Sequence, residues 1–170
     1  MDSESTILPL DDPAICSELI HHTEIPLFFK FYLRYTTHIM KTYETYADLL
    51  KPSFAPPAWI FGPVWSVLYL IIAGSFGYVG YLFYLKRIPF GVLLPFLLNI
   101  VFNLAFTPIQ FGLKNLPLAS IDILLVLATL VWAMWAIFPI VKWVTLVNIP
   151  YLLWVSFATV LQLSITWMNR

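Results

Sequence analysis

The chain has 170 residues, of which 61% are hydrophobic and only 11% are charged, and its formal net charge is zero. A soluble domain carries about 25% charged residues, so this composition excludes an ordinary soluble protein and predicts an integral membrane protein without a nucleic-acid partner. The single cysteine excludes a disulfide framework within the chain.

Residues 1–42 are predicted to form a polar N-terminal tail and a divergent first helix. Residues 1–24 are acidic and polar, with no basic segment followed by an apolar one, so no secretory signal is expected. Residues 25–40 are aromatic-rich, but Lys30, Arg34 and His38 form one cationic stripe at helical spacing. Two interpretations remain open: a helix lying in the membrane interface, and a short spanning helix whose charges snorkel or face the bundle.

Four long apolar runs follow, separated by basic residues of the kind found in loops between spans. Each exceeds the roughly 20 residues that cross about 30 Å of hydrocarbon, and helices satisfy their own backbone polar groups there. The sequence predicts an all-α integral membrane helix bundle with four clear transmembrane helices, antiparallel in turn because their connections are short. The predicted spans are Trp59 to Leu85, Ile88 to Leu113, Leu116 to Ile140 and Trp143 to Met168.

The second predicted span carries a polar strip. Asn99, Asn103 and Gln110 lie close to one helical face, and Phe106 falls near the same stripe. These amides either hold the bundle together by interhelical hydrogen bonds or line an internal cavity. Interhelical bonding is favoured for Asn99 and Gln110, and cavity lining is favoured for the mid-span Asn103.

One acidic residue, Asp122, lies within the predicted spans. Because Asp favours helix beginnings, it is predicted to cap the third span or to bond a neighbouring helix end. A proton relay would need a second buried titratable partner, and the spans offer only tyrosines.

The tryptophans fall into three groups. Trp59, Trp143 and Trp167 lie near span ends and are predicted to be interfacial anchors. Trp132 and Trp135 lie at mid-span, where packing or lipid contact is the default interpretation.

Trp65 and Trp154 stand in a different context. Tyr69 lies one turn after Trp65, and Ala158 lies one turn after Trp154. A small residue beside a large aromatic ring leaves room for a flat ligand, although ordinary packing remains the alternative.

The spans lack the residues for most metal and nucleophile chemistry. No His or Cys follows His38, so neither a Ser-His-Asp set nor a Cys-His set can be assembled there. For a haem iron they supply only Tyr or Met as axial ligand. The sequence therefore predicts no metal site and no required cofactor.

The segment 46–69 resembles the signature of the TspO/MBR family, a KPS–PP–PVW–LY pattern at the entry to the second family helix. The pattern is met by Lys51-Pro52-Ser53, Pro56-Pro57, Pro63-Val64-Trp65 and Leu68-Tyr69. Further matches resemble the third, fourth and fifth family helices, at Asn103, Pro108, Phe111 and Gly112, at 122–126, and at 150–161. The resemblance covers about 43–169, and 43–170 is predicted to be a TspO/MBR-like transmembrane bundle.

This resemblance implies five transmembrane helices around a pocket. Family members bind porphyrins and other tetrapyrroles, sterols and synthetic benzodiazepine-type ligands, and some bacterial members degrade protoporphyrin in light through two tryptophans. The resemblance places Trp65 and Trp154 at those two positions, which makes them the only catalytic candidates. The predicted ligand contacts are Trp65, Tyr69, Asn99, Asn103, Phe106, Trp154 and Ala158.

The expected function is that of a membrane receptor, sensor or carrier for protoporphyrin-type or haem-type tetrapyrroles. A sterol-like ligand is less supported, because Trp167 and Arg170 stand where the family's sterol pattern needs a Tyr before Lys or Arg. The alternatives are a light-dependent porphyrin-degrading enzyme and a scaffold with a vestigial pocket. Membrane lipid is an expected partner and a homodimer is an open alternative. Both a bacterial envelope membrane and the mitochondrial outer membrane suit the sequence.

Overall fold

The structure, a computed structural model, describes residue 46 and residues 48–170. The predicted tail and the divergent helix at 25–40 lie outside the described residues. Residues 48–170 belong to one unit. Its helices are α1 (Phe61–Tyr84), α2 (Phe90–Thr107), α3 (Leu116–Ile137), α4 (Lys142–Val147) and α5 (Ile149–Met168), with a 3-10 turn at Ala58–Ile60 and a π-helical turn at Pro108–Gly112.

Four helical segments are long and apolar enough to cross a membrane. They are α1 with its preceding turn, α2 with its following turn, α3, and α5. The prediction of an all-α bundle with four spans is therefore confirmed for the described part of the chain, which contains no strand. The protein is an integral membrane protein.

The fourth predicted span is not one continuous helix, and that prediction is wrong in detail. Asn148 separates α4 from α5. Pro150 lacks an N–H, and in a continuous helix its ring would clash with the carbonyl of Leu146, which favours a break at this point. Pro95, by contrast, lies inside the continuous helix α2. The buried Asn148 side chain secures the break, because its Nδ2 donates to Val144 O at 2.8 Å and to Ser75 Oγ on α1 at 2.9 Å.

The second predicted span also ends differently. The α-helical part stops at Thr107, because Pro108 has no N–H with which to continue the hydrogen-bond ladder. The chain widens into a π-helical turn, in which Leu113 N donates to Pro108 O at 2.9 Å. Lys114, at φ 51°, then reverses the chain toward α3, which ends at Ile137 rather than at Ile140.

The core lies around α3, which packs against α2 on one side and α5 on the other. Residues of α3 that are at most 2% exposed recur every three or four positions and form one face. They are Ala119, Ile123, Val126, Leu130, Ala133 and Ile137. By contrast, α1 is the least buried of the four spans. It joins the bundle partly through aromatic contacts, such as the edge-to-face pair of Phe76 and Phe96 on α2, whose centroids are 4.8 Å apart.

The tryptophans predicted to meet lipid or the interface lie on the outside. Trp59, Trp143 and Trp167 are all exposed, and Trp135 on α3 is 79% exposed. Exposed indoles on apolar spans face lipid or headgroups. Trp65 and Trp154 differ from them, since both are half-buried and pack against the core.

Candidate functional site

The two tryptophans of interest lie along one seam between α1 and α5. Phe61 on α1 meets Trp154 on α5 edge to face at 5.8 Å, and Trp65 meets Tyr151 in the same way at 6.4 Å. Phe61 and Trp65 are one turn apart on α1, and Tyr151 and Trp154 are one turn apart on α5. The helices therefore run antiparallel here, and the tryptophans occupy successive levels of the seam.

Each level carries a second aromatic neighbour. The Trp65 ring tilts over Tyr69 with centroids 5.3 Å apart, and the Trp154 ring tilts over Phe157 at 5.7 Å. Tyr69 is 44% exposed, so this ring lies at the edge of the seam. The structure thus lines up two clusters of rings along the seam, Trp65 with Tyr69 and Tyr151, and Trp154 with Phe61 and Phe157. These six rings are called the aromatic group below.

The polar strip of α2 is tied to this group by a chain of hydrogen bonds. The Tyr69 hydroxyl donates to Asn103 Oδ1 at 3.2 Å, and Asn103 Nδ2 donates to the Tyr151 hydroxyl at 2.9 Å. The Tyr151 hydroxyl donates to Asn99 Oδ1 at 3.0 Å. Asn103 is buried, and both ends of its amide are bonded to tyrosines from different helices.

The interhelical role favoured for Asn99 and Gln110 is confirmed. Asn99 is 1% exposed, and its Nδ2 donates to Val126 O at 2.8 Å and to Thr129 Oγ1 at 3.1 Å on α3. Gln110 Oε1 accepts from Gln162 Nε2 on α5 at 2.9 Å. Asn99 therefore joins α2 to α3, and Gln110 joins the π-helical turn after α2 to α5. Cavity lining by Asn103 stays a prediction.

The indole N–H of Trp154 stands out among the described polar groups. Trp154 Nε1 is buried and has no hydrogen-bond partner in the described structure. A buried indole N–H usually finds a partner, and leaving it unpaired costs about 1–3 kcal/mol. This donor is therefore suited to meet an acceptor carried by a ligand.

No ring contact or side-chain hydrogen bond joins the remaining predicted contacts to this group in the described part of the chain. Phe106 on α2 and Ala158 on α5 are half-buried and pack against the core. A cavity of about 340 Å³ opens at another place, between the α2–α3 connection and the end of α5. It is lined by Leu113, Lys114, Asn115, Leu116, Pro117, Thr166, Asn169 and Arg170, and it contains none of the predicted ligand contacts.

Of the two roles predicted for Asp122, capping of the third span is wrong, and the described residues show no hydrogen bond from Asp122 to a neighbouring helix end. Asn115 caps α3, its side chain accepting from Leu118 N at 3.0 Å. Asp122 lies nearly two turns further along the helix, is 5% exposed, and has a buried Oδ2 without a hydrogen-bond partner. The cap residue is Asn115 because α3 begins at Leu116. Pro117 lies in the first turn, where a helix needs no N–H from proline.

Sequence reasoning missed two residues of the site. Tyr151 is fully buried and contacts Trp65, Asn99 and Asn103, and Phe61 packs on Trp154. A signal for Tyr151 was available, because it lies one turn before Trp154 on the same helical face. Nothing in the sequence pairs Phe61 with a residue so distant along the chain.

The sequence model of the TspO/MBR family matches residues 24–168. The chain belongs to the TspO/MBR family. The match begins earlier than the resemblance at 43–169, and it includes the cationic segment 25–40, which the sequence predicts to be a divergent first helix. The match to the family therefore covers the four spans and the segment that precedes them.

Relatives within the TspO/MBR family come from distant organisms. The chain is 37% identical over 150 residues to the Tryptophan-rich protein TspO of Bacillus cereus, which covers 85% of this chain and 95% of that protein. It is 36% identical over 126 residues to the protein of the same name from Chlorobaculum tepidum, covering 73% and 78% of the two chains. The human Translocator protein is 32% identical over 125 residues, covering 69% and 70%.

Proposed function

We propose that this TspO/MBR protein is a membrane receptor, acting as a sensor or carrier, for a tetrapyrrole of the protoporphyrin type. The ligand would bind beside the α1–α5 seam, in contact with Trp65 and Trp154. The observation that carries the proposal is the buried, unpartnered Nε1 of Trp154 within a group of aromatic rings. A flat conjugated ring would stack on such side chains. An oxygen at its edge would accept from the indole once the ligand displaces the side chains that cover Nε1.

The chemistry of the seam suits a planar macrocycle. Aromatic pairs contribute about 0.5–1.5 kcal/mol each beyond the area they bury, so several rings together give useful affinity without an axial ligand. The names of the relatives agree with ligand-dependent roles, since one is called a Tryptophan-rich sensory protein and another a Translocator protein. A sterol-like ligand would use the same apolar walls but would gain less from aromatic stacking.

A titration with protoporphyrin in the dark tests the proposal. The full chain is reconstituted in lipid nanodiscs, and binding is followed by the absorbance of the porphyrin, because the chain has 7 tryptophans and their quenching is hard to assign. We expect saturable binding that Trp154→Phe weakens by about threefold to tenfold, through loss of one hydrogen bond and some ring area. Trp135→Phe, on the exposed face of α3, is the matched control and should bind as the wild type does. Equal affinity for protoporphyrin in the wild type, Trp154→Phe and Trp135→Phe would refute the proposed binding site.

The same samples under light address the enzyme alternative. One observation favours this alternative: Trp65 contacts two tyrosines, and the hydroxyls of both are hydrogen-bonded. A porphyrin bound against Trp65 and excited by light would therefore lie near several oxidisable rings. A new chromophore formed only in light would assign photo-oxidative degradation. If the protein neither binds protoporphyrin in the dark nor forms a product in light, the result favours a scaffold with a vestigial pocket.

A further inference from the structure

The cavity between the α2–α3 connection and the end of α5 is lined by two cationic side chains, Lys114 and Arg170. The described residues carry two carboxylate side chains, Asp48 and Asp122, and neither of them lines this cavity. Within the described part of the chain, neither Lys114 nor Arg170 forms an ion pair. Two like charges beside one cavity repel each other, and an anion between them removes that repulsion. The cavity therefore favours an anionic ligand.

The walls of this cavity are held in place by side-chain hydrogen bonds. Thr166 Oγ1 lies 2.7 Å from Ser120 Oγ and 3.3 Å from Leu116 O, which holds the start of α3 against α5. The side chain of Asn115, which also lines the cavity, uses its Oδ1 to accept from Leu118 N. The remaining hydrogen-bonding group of the Asn115 amide is its Nδ2, which is a donor. The cavity thus combines two cations and an amide donor on a fixed frame.

The position of the cavity along the spans places it at the membrane surface. Lys114 lies between the second and third spanning segments, and Arg170 follows the last one. The guanidinium carbon of Arg170 lies 4.5 Å from the ring centroid of Trp167, an exposed tryptophan of the kind that lies at the headgroup level. Leu113 lines the same cavity and is 69% exposed. An apolar surface suited to an acyl chain therefore adjoins the two cations.

We propose that this cavity binds the phosphate of an anionic phospholipid headgroup. Lys114 would meet the phosphate as a point charge and Arg170 as a planar donor, two modes in which proteins bind phosphate. Inorganic phosphate shares this chemistry, but it gains nothing from the exposed apolar surface of Leu113. A zwitterionic headgroup carries a cation of its own and gains less from two basic side chains. The proposal is independent of the porphyrin site, which lies on the α1–α5 seam.

Native mass spectrometry of the full chain in a non-ionic detergent tests the proposal. Phosphatidylglycerol and phosphatidylcholine with the same acyl chains are titrated separately, so that only the headgroup differs. We expect the wild type to bind phosphatidylglycerol more tightly than phosphatidylcholine. Lys114→Gln and Arg170→Gln should each weaken phosphatidylglycerol binding by about fivefold, the contribution of one basic residue near an anionic lipid surface. Lys114→Arg keeps the charge and should keep the affinity within about twofold.

Lys86→Gln is the matched control for Lys114→Gln. Both lysines are exposed and lie in connections between spans at positive φ, 56° for Lys86 and 51° for Lys114. Lys86 lies at the opposite end of α2 and does not line this cavity, so Lys86→Gln should leave phosphatidylglycerol binding unchanged. Equal losses in Lys86→Gln and Lys114→Gln would show that lipid binding follows net charge alone, and they would overturn the proposal. Unchanged affinity in both Lys114→Gln and Arg170→Gln would overturn it as well.

A competition experiment separates the two sources of phosphate. Sodium phosphate and sodium chloride are added at equal ionic strength to the protein with bound phosphatidylglycerol. We expect the two salts to displace the lipid equally, because both act only by screening. If sodium phosphate displaces the lipid at a much lower ionic strength than sodium chloride does, the site takes free phosphate and the assignment to a lipid is wrong. No measurement here uses a porphyrin, so the proposed function stands or fails separately.

Discussion

The direction of the hydrogen-bond chain has a consequence for stability that a double-mutant cycle can measure. The cycle combines Asn99→Leu with Asn103→Leu. Asn99→Leu removes the acceptor of the fully buried Tyr151 hydroxyl. Val126 and Thr129 keep partners within α3, so they are not left unpaired. If the Asn103 amide turns over, Tyr151 can donate to its Oδ1 instead, and the Tyr69 hydroxyl then accepts from Asn103 Nδ2 where it had donated to Oδ1.

The magnitudes follow from these partners. With Asn103 present, Asn99→Leu should lower the free energy of unfolding by about 0.6–1.7 kcal/mol, as for other interhelical hydrogen bonds in membranes. Asn103→Leu alone should cost a similar amount, because Tyr151 still donates to Asn99. In the double variant Tyr151 has no acceptor on α2, and an unpaired buried hydroxyl costs about 1–3 kcal/mol. The loss in the double variant should therefore exceed the sum of the single losses by about 1–2 kcal/mol.

The assay is equilibrium unfolding of the full chain in mixed micelles with increasing dodecyl sulfate, followed by circular dichroism. Gln110→Leu combined with Asn99→Leu is the control pair. Gln110 bonds to Gln162 and shares no partner with Asn99, so these two losses should add. Additive losses for Asn99→Leu and Asn103→Leu, within about 0.5 kcal/mol, would refute the argument that the chain can reverse its direction.

Three further predictions concern single positions. Asn103→Leu should weaken protoporphyrin binding while the thermal midpoint without ligand stays within a few degrees; a large fall in that midpoint with unchanged affinity would assign Asn103 a purely structural role. Trp65→Phe or Trp154→Phe should weaken protoporphyrin binding in the dark by about tenfold at most. Any rate of product formation in light should fall by a larger factor, and the double variant should have a rate close to that of either single variant. Parallel losses of affinity and of product formation would contradict a redox role. Asn115→Ala should lower the free energy of unfolding by about 1 kcal/mol through loss of the α3 cap, measured in the same micelles, whereas Asn115→Asp should retain most of it.

Much of the fold could be predicted from the sequence because a membrane imposes a simple requirement on each segment separately. A span must be long and apolar, whatever its neighbours are. The four spans and the family signature around Trp65 were therefore visible without tertiary information. The break at Asn148 was also predictable in principle, because Pro150 carries the signal, although the apolar run across it hides that signal.

The partners of polar side chains were decided only by the tertiary structure. The spacing of Asn99 and Asn103 predicts that both lie on one face of α2. It does not predict which helix that face contacts. Their bonds depend on the rotation of α1, α3 and α5 about their axes. Asp122 shows the same limit, since its buried position follows from where α3 starts and what packs against it. A hydrogen bond between helices joins residues far apart in sequence, so local pattern cannot specify it.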